Sequence, residues 1–470
     1  MTSGDSAVVE RVPFTSSGEY EKKREFTLEP GSRKYDRQFF SLYQYRLKHL
    51  RERVHTNAIA KWGDGTKKID GQTIVMQDKI LDITSGKLCW VIGTVFCDLK
   101  HKLNILQDVE KGTDDVLPSN PNSYIEGNEH GTVMIEDESG RAILSNDKFL
   151  KHNIFVTGCI IAVLGIEIQA GIFEIVDVAF PTVSPQKPLT PSLGKIALIS
   201  GLNICQNSDD DLKLEILKQY LVGELGAESD RGANSQISRL IIAGDSIKPD
   251  DDSSYDTMDF RTTNNYGSKN ISKFNVKAFE KLDRFLQELL MSLPVSIMPG
   301  ENDPVEICLP QQPMHKAIFH SSRQYLNGEY FERTTNPQWF TIDGKIRVLG
   351  TSGQNVDDVF KYLTTEQLGM KPHNELTLQI MEDNIKWQNI VPTAPDTLYC
   401  YPYDDYDPFI LQDETPHVYF VGNQQQFSTK TLEICCQKVK LISVPKFSAT
   451  GEIVVLDLAT LNAETIKIEV

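Results

Sequence analysis

The chain is predicted to fold as two domains, a small all-β barrel followed by an α/β sheet domain, and three features predict it. Its 470 residues exceed what one compact hydrophobic core accommodates. Between about residues 69 and 181, short apolar runs alternate with Gly and Asp in the manner of strands and tight turns. Past a proline-rich joint the texture changes to Ile-, Val- and Leu-rich strands separated by helical segments, the pattern of a sheet covered on its faces.

Residues 1–34 are polar and aperiodic and are expected to form a flexible tail. In residues 35–63, Phe39, Phe40, Leu42, Tyr43, Tyr45, Leu47, Leu50 and Val54 recur mostly at spacings of three and four, which predicts an amphipathic helix stopping at Gly63-Asp64-Gly65. Residues 64–181 then carry strands at Gln72–Ile83, Leu88–Leu99, Thr132–Ile135, Arg141–Leu144, Val156–Ile166 and Phe173–Ala179. A polar loop at Glu110–Glu129 interrupts them. Strands of that number and length fit a Greek-key barrel of the oligonucleotide/oligosaccharide-binding (OB) type. Gly140 is expected to supply positive φ in the hairpin between Met134 and Leu144, and Gly165 to permit a sharp bend at a barrel corner.

The stretch Pro181–Pro191 holds four prolines and reads as a stiff linker. In residues 192–470, strands are predicted at Lys195–Ser200, Leu240–Gly244, Val295–Pro299, Phe340–Leu349, Val418–Gly422, Lys438–Val444 and Gly451–Leu456, with helices at Asp211–Leu225 and Val276–Ser292. Gly226–Ser238 and Lys248–Lys269 look like surface loops. The acidic run Asp250, Asp251, Asp252, Asp256 and Asp259 lacks the alternating register of a calcium loop and is expected to be disordered.

Composition narrows the functional classes. Hydrophobic residues make up 40% and charged residues 24%, enough for a substantial core. The eight cysteines form no CxxC pair and have no His at zinc-ligand spacing, so most are expected to be apolar strand residues in a reducing compartment. The start lacks a signal peptide's basic and apolar regions, and no run is long enough to span a membrane, which points to the cytosol or nucleus. A net charge of −17 disfavours autonomous nucleic-acid binding. A barrel face could still stack single-stranded bases on Trp90, Phe96 and Tyr124, with Lys100 and Lys102 flanking His101 as a short basic patch.

The chemistry-bearing signal lies at four strand ends: Ser200-Gly201-Leu202-Asn203, Gly244-Asp245, Gly300-Glu301-Asn302-Asp303 and Gly422-Asn423-Gln424-Gln425. Their order resembles the metal-binding blocks of calcineurin-like metallophosphoesterases, Asp-x-His, Gly-Asp, Gly-Asn-His-Asp and Gly-His-x-His. Gly201 and Asn203 stand where that family has Asp and His, Glu301 and Asn302 where it has Asn and His, and Asn423 and Gln425 where it has two His. Only Asp245 stands at a metal-ligand position with the family's own residue. A two-metal site works by concentrating positive charge on the attacking and leaving oxygens, and needs several anionic or imidazole ligands per ion. Glycine supplies none, and neutral amides are weak ligands. The expectation is an inactivated phosphoesterase-like domain with no bound metal, no cofactor and no catalytic residue, in which Asp245 bonds to loop amides or caps the following turn.

An OB barrel followed by such a domain resembles the B subunits of replicative DNA polymerases. Tyr43-Gln44-Tyr45-Arg46-Leu47, Gly194 to Asn203, Met298 to Pro304, Leu309 to Pro313, Trp387 to Leu398 and Pro416 to Phe420 look like the delta-type subunit, in order over residues 35–470. The resemblance implies a nuclear, non-catalytic scaffold in DNA replication and repair. It implies binding to the C-terminal cysteine-rich domain of the catalytic subunit of DNA polymerase delta and to a third, elongated subunit, with contact to DNA only indirect. It leaves open whether a second B-family polymerase also uses the chain. The rivals are a single-strand DNA-binding OB module and a divergent metallophosphoesterase. Independently, the run Trp387 to Phe409, with Tyr401, Tyr403 and Tyr406, is dense in aromatics, prolines and acids and is a candidate partner surface.

Overall fold

A computed structural model describes residues 10–13, 26–31, 33–69, 71–102, 121–128, 131–206, 211–249, 274–326 and 329–469. The acidic run from Asp250 to Asp259 and most of the expected loop Glu110–Glu129 lie outside the described residues.

Helix α1 (Phe40–Trp62) precedes the barrel. Its buried face is Leu42, Arg46, Leu50, Val54, Ala58 and Trp62, a strict i, i+4 row, whereas Phe40 is 65% exposed. Leu42, Leu50 and Val54 of the expected apolar stripe lie on the packing face, whereas Phe39 and Phe40 do not. The row that packs includes a charged residue, which periodicity of apolar side chains passes over.

After a two-residue ribbon of β1 (Lys68–Ile69) and β2 (Gln72–Thr73), the barrel comprises β3 (Val75–Met76), β4 (Leu88–Asp98), β5 (Thr132–Glu136), β6 (Arg141–Ser145), β7 (Ile160–Gln169) and β8 (Ile172–Ala179), with a short helix α2 (Asp147–His152) between β6 and β7. Strand order is β3-β4-β5-β6-β8-β7, and pairing of β7 back onto β4 closes the sheet. Gly165 sits at a register shift in the β7–β8 pair, where a Cβ would lie 2.1 Å from the Glu174 carbonyl oxygen. It serves the bend expected of it. Gly140 does not have positive φ. The β5–β6 turn is built instead by Asp137, whose Oδ1 accepts from the N–H groups of Ser139 (2.7 Å) and Gly140 (3.0 Å). These bonds and one from Ile80 N–H hold the Asp137 carboxyl below its ordinary range despite burial.

The second domain is two sheets packed face to face. The first, β12-β11-β10-β9-β18-β19, contains β9 (Lys195–Ile199), β10 (Ile237–Ala243), β11 (Val295–Met298), β12 (Phe331–Arg333), β18 (Glu452–Asp457) and β19 (Ala463–Lys467). The second, β13-β14-β15-β17-β16, contains β13 (Gln338–Ile342), β14 (Ile346–Thr351), β15 (Val418–Gln424), β16 (Ser428–Ile434) and β17 (Gln437–Pro445). Ile196, Leu198, Ile241, Phe340, Val348, Phe420 and Ile442 fill the space between them. Helices α3 (Asp211–Val222) and α5 (Val276–Leu289) join the core on the outer side of the first sheet through Leu217, Leu221, Leu282 and Leu286. Helices α6 (Gln354–Phe360) and α8 (His373–Trp387) cover the second, and α7 (Thr365–Met370) between them packs on α2 of the barrel, where Gln367 Nε2 donates to the carbonyls of Leu150 and Lys151.

Barrel and sandwich share one core. Val91, Val95 and Ile161 of the barrel belong to the same buried cluster as Val356, Ile380 and Tyr419. Several expectations change as a result. The loop expected at Gly226–Ser238 contains a helix, α4 (Glu228–Ser235), and the first residues of β10. The single strand expected at Phe340–Leu349 is a hairpin turning at Asp343 and Gly344, both with positive φ. Four cysteines are buried (Cys89, Cys97, Cys159 and Cys400), but Cys435 and Cys436 are exposed at the β16–β17 turn. The described part of the N-terminal tail is docked: Arg11 Nη1 and Nη2 donate to the carbonyls of Asn234, Ile237 and Leu221, and Phe26 is only 2% exposed. A polar composition concealed one aromatic anchor and one guanidinium with three carbonyl partners.

Candidate functional site

The four strand-end blocks meet at one end of the sandwich. Gly201 N–H donates to Gly244 O and Asn203 N–H to Asp245 O, each at 2.9 Å, tying the end of β9 to the end of β10. Asn423 joins the two sheets. Its N–H donates to Ser200 Oγ (2.8 Å) and its Nδ2 to Ser352 O (2.7 Å). Asn203, Asp245 and Asn423 all have left-handed φ, between 49° and 57°. Such backbone strain in non-glycine residues persists only where the surroundings over-determine it.

Asp245 is buried, and both its oxygens are occupied by one neighbour. Oδ1 accepts from Asn302 N–H and Oδ2 from Asn302 Nδ2, each at 3.0 Å. This is the loop-amide bonding expected of it. Asp303, in the same loop, is also buried and accepts from the N–H groups of Ser246 (2.9 Å), Ile247 (3.1 Å) and Gly300 (2.8 Å). Burial first, then repulsion from Asp245, pushes its carboxyl up to about 7. The close approach of these loops needs Gly300, where a Cβ would fall 2.3 Å from Asp245 N and Oδ1.

Two participants escaped sequence reasoning. Asp357 on α6 accepts from Gln424 Nε2 at 3.2 Å, and burial, with Glu301 and Asp245 nearby, pushes it up to about 7. Lys446, just after β17, has its side-chain carbons 3.0 Å from where a Cβ on Gly201 would sit, and its charge acts on Asp357. The Ser200–Lys446 bridge between the sheets brings it there. Thus Gly201, Asn203, Asp245, Asn302 and Asn423 come together, while Glu301 and Gln425 are exposed at the rim. Among the described residues, no group of three or more His, Cys, Asp and Glu is placed to hold a metal ion. The carboxylates and amides here bond to one another, and the Lys446 charge acts on Asp357.

The other candidate surfaces also change. Trp387 and Phe409 are core residues, 2% and 0% exposed, and are withdrawn from the partner surface. Tyr401, Tyr403 and Tyr406 are half-buried in a ladder of edge-on contacts, with ring centroids 4.9 Å and 6.0 Å apart. On the barrel, Trp90 is fully buried and donates to Gly63 O, and Tyr124 is buried with its hydroxyl on Asp358 Oδ1 at 2.6 Å. Phe96 lies beneath Lys102 and Arg141. Lys100 and Lys102 pair with Glu126 and Asp396. Two of the three aromatics proposed to stack bases are thus internal, and both lysines are engaged.

Comparison with known proteins follows the same division of the chain. A family model described as the DNA polymerase delta subunit OB-fold domain matches residues 38–178, and one described as the B-type subunit of DNA polymerase alpha/epsilon matches residues 196–429. The chain is 40% identical to the DNA polymerase delta small subunit of Saccharomyces cerevisiae, covering 98% of this chain and 95% of that one. It is 33% identical to DNA polymerase delta subunit 2 of Drosophila melanogaster (93% and 94% covered) and 32% identical to the small subunit of Oryza sativa subsp. japonica (93% and 94%). Among solved structures, a chain titled as a novel archaeal phosphodiesterase overlaps 58% of this chain and 98% of its own length at 10% identity and a TM-score of 0.27, too low to bear on function. With its barrel, its sandwich and this extent of identity, the chain belongs to the DNA polymerase delta small-subunit family.

Proposed function

We propose that the chain acts without catalysis of its own, as a nuclear scaffold within the DNA polymerase delta complex. The observation that carries the non-catalytic reading is the closure of Asp245 on Asn302, at a site whose other family positions are glycine or amide apart from Glu301, which is exposed at the rim. A hydrolytic site needs donors pointing at an ion. Here they point at each other.

In the same reading the chain holds the C-terminal cysteine-rich domain of the catalytic subunit and a third, elongated subunit, and reaches DNA only through them. The relatives' names support membership of the polymerase assembly. The choice of partners rests on the family resemblance. Co-expression with the cysteine-rich segment of a delta-type catalytic subunit, followed by size-exclusion chromatography and metal analysis, tests it. The expected result is a one-to-one complex whose metal is accounted for by the partner. Separate elution of the two chains would overturn it.

A further inference from the structure

We infer that the N-terminal arm is a ligand bound in cis by the aromatic stretch 399–409, so that the face this stretch would offer another chain is already occupied. The arm meets that stretch and its supporting loop at five points. Phe26 is buried with its ring stacked on Phe409, centroids 6.4 Å apart. Gln312 then reads the arm's main chain, its Nε2 donating to Phe26 O (3.0 Å) and its Oε1 accepting from Leu28 N–H (2.8 Å). Further on, Lys34 N–H donates to Tyr401 Oη at 2.9 Å, the Tyr35 ring meets Tyr401 edge-on at 5.5 Å, and Arg37 pairs with Asp404.

This arrangement is peptide recognition. One side-chain amide satisfies both a carbonyl and an N–H of the arm's main chain, as a neighbouring strand would, and one aromatic supplies the buried anchor. Gln312 is itself oriented for the task, because Nε2 also donates to Pro310 O at 2.9 Å. The arm runs directly into α1, and the Tyr401–Tyr403–Tyr406 ladder continues to Tyr45 on that helix, so the contact is closed at both ends. Tethering keeps the effective concentration of the arm high, and a second chain seeking Tyr401 has to displace it.

The test is hydrogen exchange by mass spectrometry on the full-length chain, with Phe26→Ala, Gln312→Ala and Gln312→Glu. Wild type is expected to protect the Leu28 amide. Gln312→Ala and Phe26→Ala should each speed exchange across residues 26–37 by about tenfold or more, the scale of losing a net hydrogen bond or a buried anchor, while the β4 and β10 amides stay protected. Gln312→Glu keeps the acceptor for Leu28 and loses the donor to Phe26, so its effect should be intermediate. Unprotected exchange at Leu28 in wild type, or protection unchanged in Gln312→Ala, would overturn the inference. Because Gln312 is not a core residue, its variant remains informative if Phe26→Ala fails to fold.

Discussion

Arg46, in the second turn of α1, donates from Nε to Asp407 Oδ2 at 2.7 Å across 361 positions of chain, and both side chains are fully buried. Its Nη1 also donates to Pro392 O at 2.9 Å. A helix that precedes the barrel is thereby fastened to the segment between α8 and β15 of the sandwich. Taking one charge away leaves the other buried without compensation, which costs about 3–5 kcal/mol. Arg46→Met and Asp407→Leu should each lower the urea midpoint accordingly, and the double variant should be less destabilised than the sum of the two. Additive losses would show that the residues do not act as a pair.

Gly158 faces the same junction. Its φ is +92°, and a Cβ there would lie 2.2 Å from Pro392 O and 2.7 Å from Arg46 Nη1. Gly158→Ala should destabilise the chain by at least about 1–3 kcal/mol, from backbone strain alone, and open the barrel–sandwich joint to limited proteolysis. Thermal melts and digestion time courses that match wild type would count against this packing.

His417 supplies a pH dependence. Its Nδ1 accepts from Arg347 N–H (2.9 Å) and its Nε2 donates to Lys187 O (2.7 Å), so the bonded form is neutral imidazole. Burial lowers its pKa from the ordinary value, the Arg347 and Lys187 charges also lower it, and Glu414 and the Lys187 carbonyl work the other way. A folded value below the unfolded one means that the stabilisation is complete above about pH 6.5 and is lost as pH falls through that value toward the folded one. Asp303 acts in the opposite sense. Its carboxyl, raised to about 7, makes stability fall as pH rises from the ordinary Asp range toward 7. The difference between wild type and His417→Gln isolates the histidine, and the thermal midpoint of wild type should fall more steeply below pH 6.5. Parallel curves would refute the assignment.

Restoring the phosphoesterase residues should not restore a site. Gly201 has φ +61°, and Asn423 Oδ1 and two Lys446 side-chain carbons lie 3.0 Å from the place a Cβ would take. Gly201→Asp combined with Asn203→His is therefore predicted to bind no stoichiometric manganese by isothermal titration. A left-handed residue other than glycine costs about 1–2 kcal/mol, so its melting temperature should also drop.

The barrel and the α/β alternation were legible because they rest on local patterning: apolar runs of strand length, the bend at Gly165, and the texture change after Pro191. What escaped was non-local. Arg46 and Phe26 read as solvent-facing in sequence and are buried because partners hundreds of positions away receive them. The β13–β14 turn carried a usable signal, Asp343-Gly344, a dipeptide suited to two consecutive positive φ values. At the strand ends, the four blocks identified the right loops. Lys446 and Asp357 belong to segments without a motif and enter only through the packing of one sheet on the other.

The most direct test of the central claim is phosphodiesterase activity and metal content of the purified chain dialysed against manganese. The expected result is no stoichiometric metal and no Asp245-dependent hydrolysis of a chromogenic phosphodiester. Two manganese ions per chain, with turnover lost in Asp245→Ala, would contradict it and make the strand-end cluster a working active site.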